Sequence, residues 1–148
     1  MKRKVLVLSL LVLFIDQLLK ALALEYLSAK SIMVIGNFFS LDLVFNTGAS
    51  WGILNDSRWV LIIISIIILG ILLKYLWNAK DCKLNIIAFF MLCGGLLGNL
   101  VDRVFRGFVI DYIALNFWGY HFPIFNCADI MIVLGTVLLA IQILKGDV

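Results

Sequence analysis

The sequence predicts a mainly α membrane protein, four transmembrane helices carrying a small extracytoplasmic β element. Three observations carry that expectation. Of 148 residues, 64% are hydrophobic and only 14% are charged, against about 25% charged in an average soluble domain. The apolar residues gather into four stretches, each near the roughly 20 residues that span about 30 Å of hydrocarbon. Basic residues bracket those stretches on one side. This composition excludes a disordered chain, a coiled coil and an ordinary soluble domain. No repeat or linker divides the chain, so residues 1–148 read as one integral-membrane domain.

The first span, 5–24, follows the basic start Met1-Lys2-Arg3-Lys4. Its apolar run and Ala21-Leu22-Ala23 also fit the layout of a cleavable signal peptide, but Asp16 and Lys20 look placed, which favours a permanent span. From Phe39 to Asn46, apolar residues at 39, 41, 43 and 45 alternate with Ser40, Asp42, Val44 and Asn46, the period of a strand. Spans 59–77 and 84–104 are flanked by Lys74, Lys80 and Lys83. The β-branched and aromatic stretch Gly107 to Trp118 predicts a second extended segment. A last span, 126–144, ends at Lys145. Putting the basic flanks inside places both termini in the cytoplasm and the loops 25–58 and 102–125 outside. Of nine acidic residues, only Asp81 and Asp147 then lie inside.

The remaining polar residues are the functional candidates. Asp16 and Lys20 are four apart on one helical face, acid first, the better order for a pair. They read equally as a local pair with Lys20 snorkelling outward or as part of a site. Asn46-Thr47-Gly48-Ala49-Ser50-Trp51 reads first as a turn; its functional alternative is that Asn46 and exposed amides hold an extended peptide. Gly94, Gly95 and Gly98 supply a Gly-x-x-x-Gly spacing and read as helix packing. Asn99, Asp102, Arg103 and Arg106 share the next helical face, where buried ionisable groups are costly and point to function. Asp111 sits among β-branched and aromatic residues and is expected to be partly desolvated. Asn126 is an N-cap with Asp129 three residues on, yet Asp129 would lie roughly 6 Å inside the outer boundary at 1.5 Å per residue. Every polar cluster therefore falls at the same membrane face.

The three cysteines, Cys82, Cys93 and Cys127, suggest neither a disulfide framework nor a zinc site. His121 pairs with no serine or cysteine motif, and no phosphate, dinucleotide or nucleic-acid signature is present. What remains is two carboxyls, Asp111 and Asp129. Brought together in a poorly hydrated site they would share a proton, the arrangement an aspartic peptidase uses. Two other readings stay open: a proton or ion relay through Asp16, Arg103, Asp111 and Asp129, and a non-catalytic subunit docking through the glycine face.

Four motifs together resemble the lipoprotein signal peptidase (signal peptidase II) family: Asp16-x-x-x-Lys20; Asn46-x-Gly48-Ala49-Ser50-Trp51; Gly94-Gly95-x-x-Gly98-Asn99-x-x-Asp102-Arg103-x-x-x-Gly107-x-Val109-x-Asp111; and Phe122-Pro123-x-Phe125-Asn126-x-Ala128-Asp129. The resemblance implies an aspartic endopeptidase of the bacterial plasma membrane with four spans and an outer β-cradle; a monomer with no cofactor or metal is expected. Its implied partners are membrane lipid and a prolipoprotein carrying a diacylglyceryl-modified cysteine, cut on the amino side of that cysteine. Cyclic-peptide antibiotics are the implied inhibitors. Carried over by position, Asp111 and Asp129 would be catalytic. Asn46, Gly48, Asn99, Arg103 and Asn126 would position substrate and dyad, and Asp16, Lys20 and Asp102 would hold the site together.

Overall fold

The computed structural model describes residues 1–49 and 53–148; Ser50 and Trp51 of the second motif lie outside them. The order is α1 (Lys2–Leu27), β1 (Ile32–Ile35), β2 (Phe39–Asn46), α2 (Arg58–Asn78), α3 (Lys83–Phe105), β3 (Val109–Phe117), β4 (Tyr120–His121) and α4 (Cys127–Leu144). All four helices are long and apolar enough to cross a membrane, and each expected span falls on one of them to within a few residues.

Helix α3 is the centre of the bundle. About 56% of its apolar window is buried, against 17–28% in the other three, whose outward faces keep large aliphatic side chains exposed. Glycines let its neighbours approach: Gly94 faces Ser9 and Val12 of α1, and Gly95 faces Ala128 and Ile132 of α4. Gly135 of α4 reciprocates against Ala88 and Leu92 of α3. In a bilayer, where lipid tails are as apolar as leucine, this close packing is what holds helices together. At one end of the bundle Val5, Leu72, Leu76, Phe89, Leu92 and Cys93 form an apolar cluster joining α1, α2 and α3.

Helix ends are fixed by specific groups. Gly107, at φ +91°, turns the chain out of α3 while its N–H and that of Arg106 bond the Asp102 carbonyl. Arg58, at the start of α2, donates from Nε to the Arg103 carbonyl and from Nη2 to that of Val104, both at 2.7 Å. It thereby satisfies two of the carbonyls that a helix end leaves open and pins α2 beside α3.

The strands form one antiparallel sheet in the order β1-β2-β3-β4. Val44 pairs with Asp111 and Asn46 with Val109, with a bulge between Leu41 and Val44. The alternating segment 39–46 and the extended segment 107–118 are thus β2 and β3; β1 and β4 were not anticipated. Ile110 and Tyr112 of β3 pack on Ala23 and Leu27 of α1, so the deep end of the sheet is anchored in the bundle. The far end closes in a two-residue turn, Trp118-Gly119, with both residues at positive φ as the twist of a tight hairpin requires. Substituting Gly95 by Val should leave membrane insertion intact but lower stability by about 1–3 kcal/mol, because a Cβ there would lie 2.6 Å from the Ala128 carbonyl oxygen. Thermal unfolding in detergent measures this.

Candidate active site

The site is assembled around a buried cation. Lys20, one turn beyond Asp16 on α1, is fully buried. Its ammonium lies 2.8 Å from Asp16 Oδ2 and 2.8 Å from Asp102 Oδ2 and donates to Asn99 Oδ1 at 2.9 Å. The snorkelling reading of Lys20 is therefore wrong: the side chain turns inward because two carboxylates from different helices meet it there. Gly98 makes room, since a Cβ at that position would come within 2.5 Å of Asp16 Oδ2.

Each carboxylate also organises backbone. Asp16 Oδ1 accepts from the Ala128 N–H in the first turn of α4 at 3.1 Å. Asp102 Oδ2 accepts from the Ile110 N–H of β3 at 3.2 Å, and Asp102 Oδ1 pairs with Arg106. Gln17, which the sequence reading passed over, donates to Asp102 Oδ1 at 3.1 Å and to the Gly98 carbonyl at 3.3 Å. It accepts from Arg106 at 2.8 Å. One ion network thus ties α1, α3, β3 and α4 together.

The two expected carboxyls meet through Asn126. This residue caps α4: its side-chain oxygen accepts from the Asp129 N–H, and its own N–H donates to Asp129 Oδ2 at 3.1 Å, a closed capping box. The same residue's Nδ2 donates to Asp111 Oδ1 at 2.6 Å and to Asn99 Oδ1 at 3.2 Å. Asn99 Nδ2 reaches Asp129 Oδ1 at 2.7 Å, and Asn46 Nδ2 reaches Asp111 Oδ2 at 2.8 Å. Both aspartates line one cavity of about 160 Å³, with Asn46, Asn99, Arg103 and Ser65 of α2 also on its wall. Burial, and next the neighbouring Asp129 charge, push Asp111 up to about 7 against the hydrogen bonds of Asn46 and Asn126.

The turn reading of Asn46 holds. Its Oδ1 accepts from the Gly48 N–H at 2.9 Å, an Asx-type turn, while its amide nitrogen serves Asp111. Gly48 is buried, and its carbonyl accepts from Arg103 Nη2 at 2.9 Å. Arg103 Nε is buried with no hydrogen-bond partner among the described residues. At the opposite end of the bundle, where the sequence predicts no polar cluster, the structure adds one. Asn85 is buried and bonds the Lys80 and Asp147 carbonyls, and Gln142 Nε2 donates to Asn85 Oδ1 at 3.2 Å. These are amides, without a proton to pass on. Their signal was available, since each is an amide set among apolar residues near the inner end of a span.

The pattern of the family described as Signal peptidase (SPase) II matches residues 8–145. The chain belongs to that family. Signal peptidase II relatives include the lipoprotein signal peptidase of Clostridium tetani, 38% identical over 90% of this chain and 87% of the relative. That of Halothermothrix orenii is 34% identical over 93% of each. A solved structure titled as a bacterial membrane enzyme studied by the in meso method at 1.9 Å superimposes with a TM-score of 0.81, at 36% identity, covering 95% of this chain and 92% of its own. Family membership makes the chain a peptidase with several membrane passes. The central cation makes a strong prediction: Lys20→Met would strand Asp16 and Asp102 without their partner, which for a buried pair costs about 3–5 kcal/mol. Denaturant unfolding in mixed micelles reads that loss.

Proposed function

We propose that this chain is an aspartic endopeptidase that removes the signal peptide from diacylglyceryl-modified prolipoproteins, cutting on the amino side of the lipidated cysteine, with Asp111 and Asp129 as the catalytic pair. The observation that carries it is the double use of Asn126. One side chain caps the helix bearing Asp129 and bonds Asp111, so two acids from distant parts of the chain are fixed on the wall of one small cavity.

Two carboxyls in a poorly hydrated cavity hold one proton between them. The ionised partner takes a proton from a water as its oxygen attacks the scissile carbonyl carbon. The protonated partner gives its proton to the carbonyl oxygen. When the tetrahedral intermediate collapses, the C–N bond breaks and a proton passes to the leaving nitrogen of the cysteine. Asn46, Asn99 and Asn126 hold the pair in place, and the buried Arg103 Nε offers a donor to the substrate backbone. Asp16, Lys20 and Asp102 support the site from behind.

The setting suits a lipid-anchored substrate. Acyl chains hold the cleavage point at the membrane interface, so the carboxyls belong at that depth. The positive-inside rule puts Met1–Lys4, Lys80, Lys83 and Lys145 in the cytoplasm, with both termini, and the site near the extracytoplasmic face. The buried ionisable groups a proton relay would use lie at the sheet end of the bundle, while the ion pairs of the other end, Met1–Asp81 and Lys80–Asp147, are exposed, which favours hydrolysis over transport. A cyclic-peptide antibiotic that occupies the two carboxyls would block it.

Asp111→Asn and Asp129→Asn should each cut cleavage of a diacylglyceryl precursor by at least about a thousandfold, with membrane insertion retained; cleavage surviving in both would remove the pair. Asp16→Ala should do less damage than either. Asp111 carries its proton below about 7 and loses it as the pH rises. The general acid is then lost, and kcat should fall toward tenfold per pH unit above neutrality. An initial-rate profile from pH 5 to 9 checks this.

A further inference from the structure

The cavity that holds the two aspartates is the inner end of a longer trough. It shares Asn46, Ala49, Asp111 and Ile124 with a neighbouring hollow of about 450 Å³. That hollow shares His121 and Ile124 with a third of about 390 Å³, walled by Ser40, Asp42 and Ala114. The third shares Asn37 and Asn116 with a last one of about 620 Å³ beneath the Trp118-Gly119 turn. These hollows follow the sheet from its end anchored in the bundle to its exposed end.

We infer that this trough binds the segment of the substrate that follows the lipidated cysteine, and that Asp42 makes it select for positive charge there; the inference rests on the peptidase reading above. Three features identify this occupant. The hollows adjoin the cavity of the aspartates through shared walls, which offers a chain cut there a path along the sheet. The trough wall beyond Asp111 sets Asn37, Ser40, Asp42, Asn116 and His121 among the apolar Met33, Phe38, Leu115, Phe117 and Phe122, so it offers hydrogen bonds to an extended backbone, which a signal helix with its backbone bonds already made would not use. It also runs toward the end of the sheet that projects from the bundle, the direction a secreted chain must take.

Length and register sharpen the assignment. From Asp111 to Phe117 is six strand steps, about 20 Å at 3.3 Å each, room for about six extended residues. Asp42 lies in the β2 bulge between Leu41, the partner of Ile113, and Val44, the partner of Asp111, so it faces roughly the third residue of the released chain. Its carboxylate is half-buried, accepting from Ser40 Oγ at 2.5 Å, and among the described residues no lysine or arginine lines the three hollows outside the aspartate cavity.

The test uses purified protein in detergent micelles and synthetic diacylglyceryl precursors that extend one, three or six residues past the cysteine, the two longer ones with Lys or Glu at the third position of the released chain. kcat/KM should rise about tenfold from one residue to six, through KM and not kcat. The Lys precursor should be preferred about fivefold over the Glu precursor. Asp42→Asn should equalise the two, and Asp42→Lys should reverse the preference. Equal kcat/KM for one and six residues in the unaltered protein, or a Lys/Glu ratio indifferent to residue 42, overturns the trough while leaving the peptidase standing. Failure to cleave any lipidated precursor overturns both.

Discussion

The ammonium of Lys20 is the interaction on which this molecule depends. A lysine fully withdrawn from water is tolerated only where paired charges and donors surround it. Here Asp16 and Asp102 supply the charges and Asn99 accepts the third bond. Each carboxylate then spends its other lone pairs on backbone: Asp16 on the first turn of α4, Asp102 on the start of β3. The elements that carry Asp129 and Asp111 are therefore located by the same cation. A buried ion cluster of this kind is weak evidence for stability and better evidence for a geometry worth fixing.

Asn126 performs a second convergence at a finer scale. A capping box ordinarily settles where a helix begins. Because the box partner is Asp129 and the spare N–H of the cap reaches Asp111, the local rule for starting α4 also sets the relation between two acids 18 positions apart. Helix capping, a property of four consecutive residues, has been turned into tertiary positioning.

Much of this was legible before any coordinates. Hydrophobic runs placed the four helices, because crossing hydrocarbon requires them. Alternation placed β2, whose faces differ, and β-branched residues placed β3. Strand β1 escaped because Ile32-Met33-Val34-Ile35 is a short apolar run with all four residues exposed, so it carries no alternation. Strand β4 is two residues long and owes its existence to β3. Within the site, spacing put Asn99, Asp102, Arg103 and Arg106 on one face. Spacing cannot reveal which distant residue answers that face: the inward turn of Lys20 and the bridging role of Gln17 depend on α1 lying against α3. Arg58 was hidden for a similar reason, since a basic residue at the start of a span reads as a boundary marker and gives no hint that it caps another helix.

The outward faces of α1, α2 and α4 have a different consequence. Leu6, Phe14, Ile63, Ile67, Val133 and Leu144, among others, stand exposed and touch only what surrounds the bundle. For such positions any aliphatic or aromatic side chain serves almost equally well, because acyl chains conform to whatever shape they meet. Random change over generations can accumulate there nearly unopposed while a dozen inward-facing polar residues and a handful of glycines stay put. A protein built this way should preserve its chemistry through long divergence, with its history written on the side facing the oil.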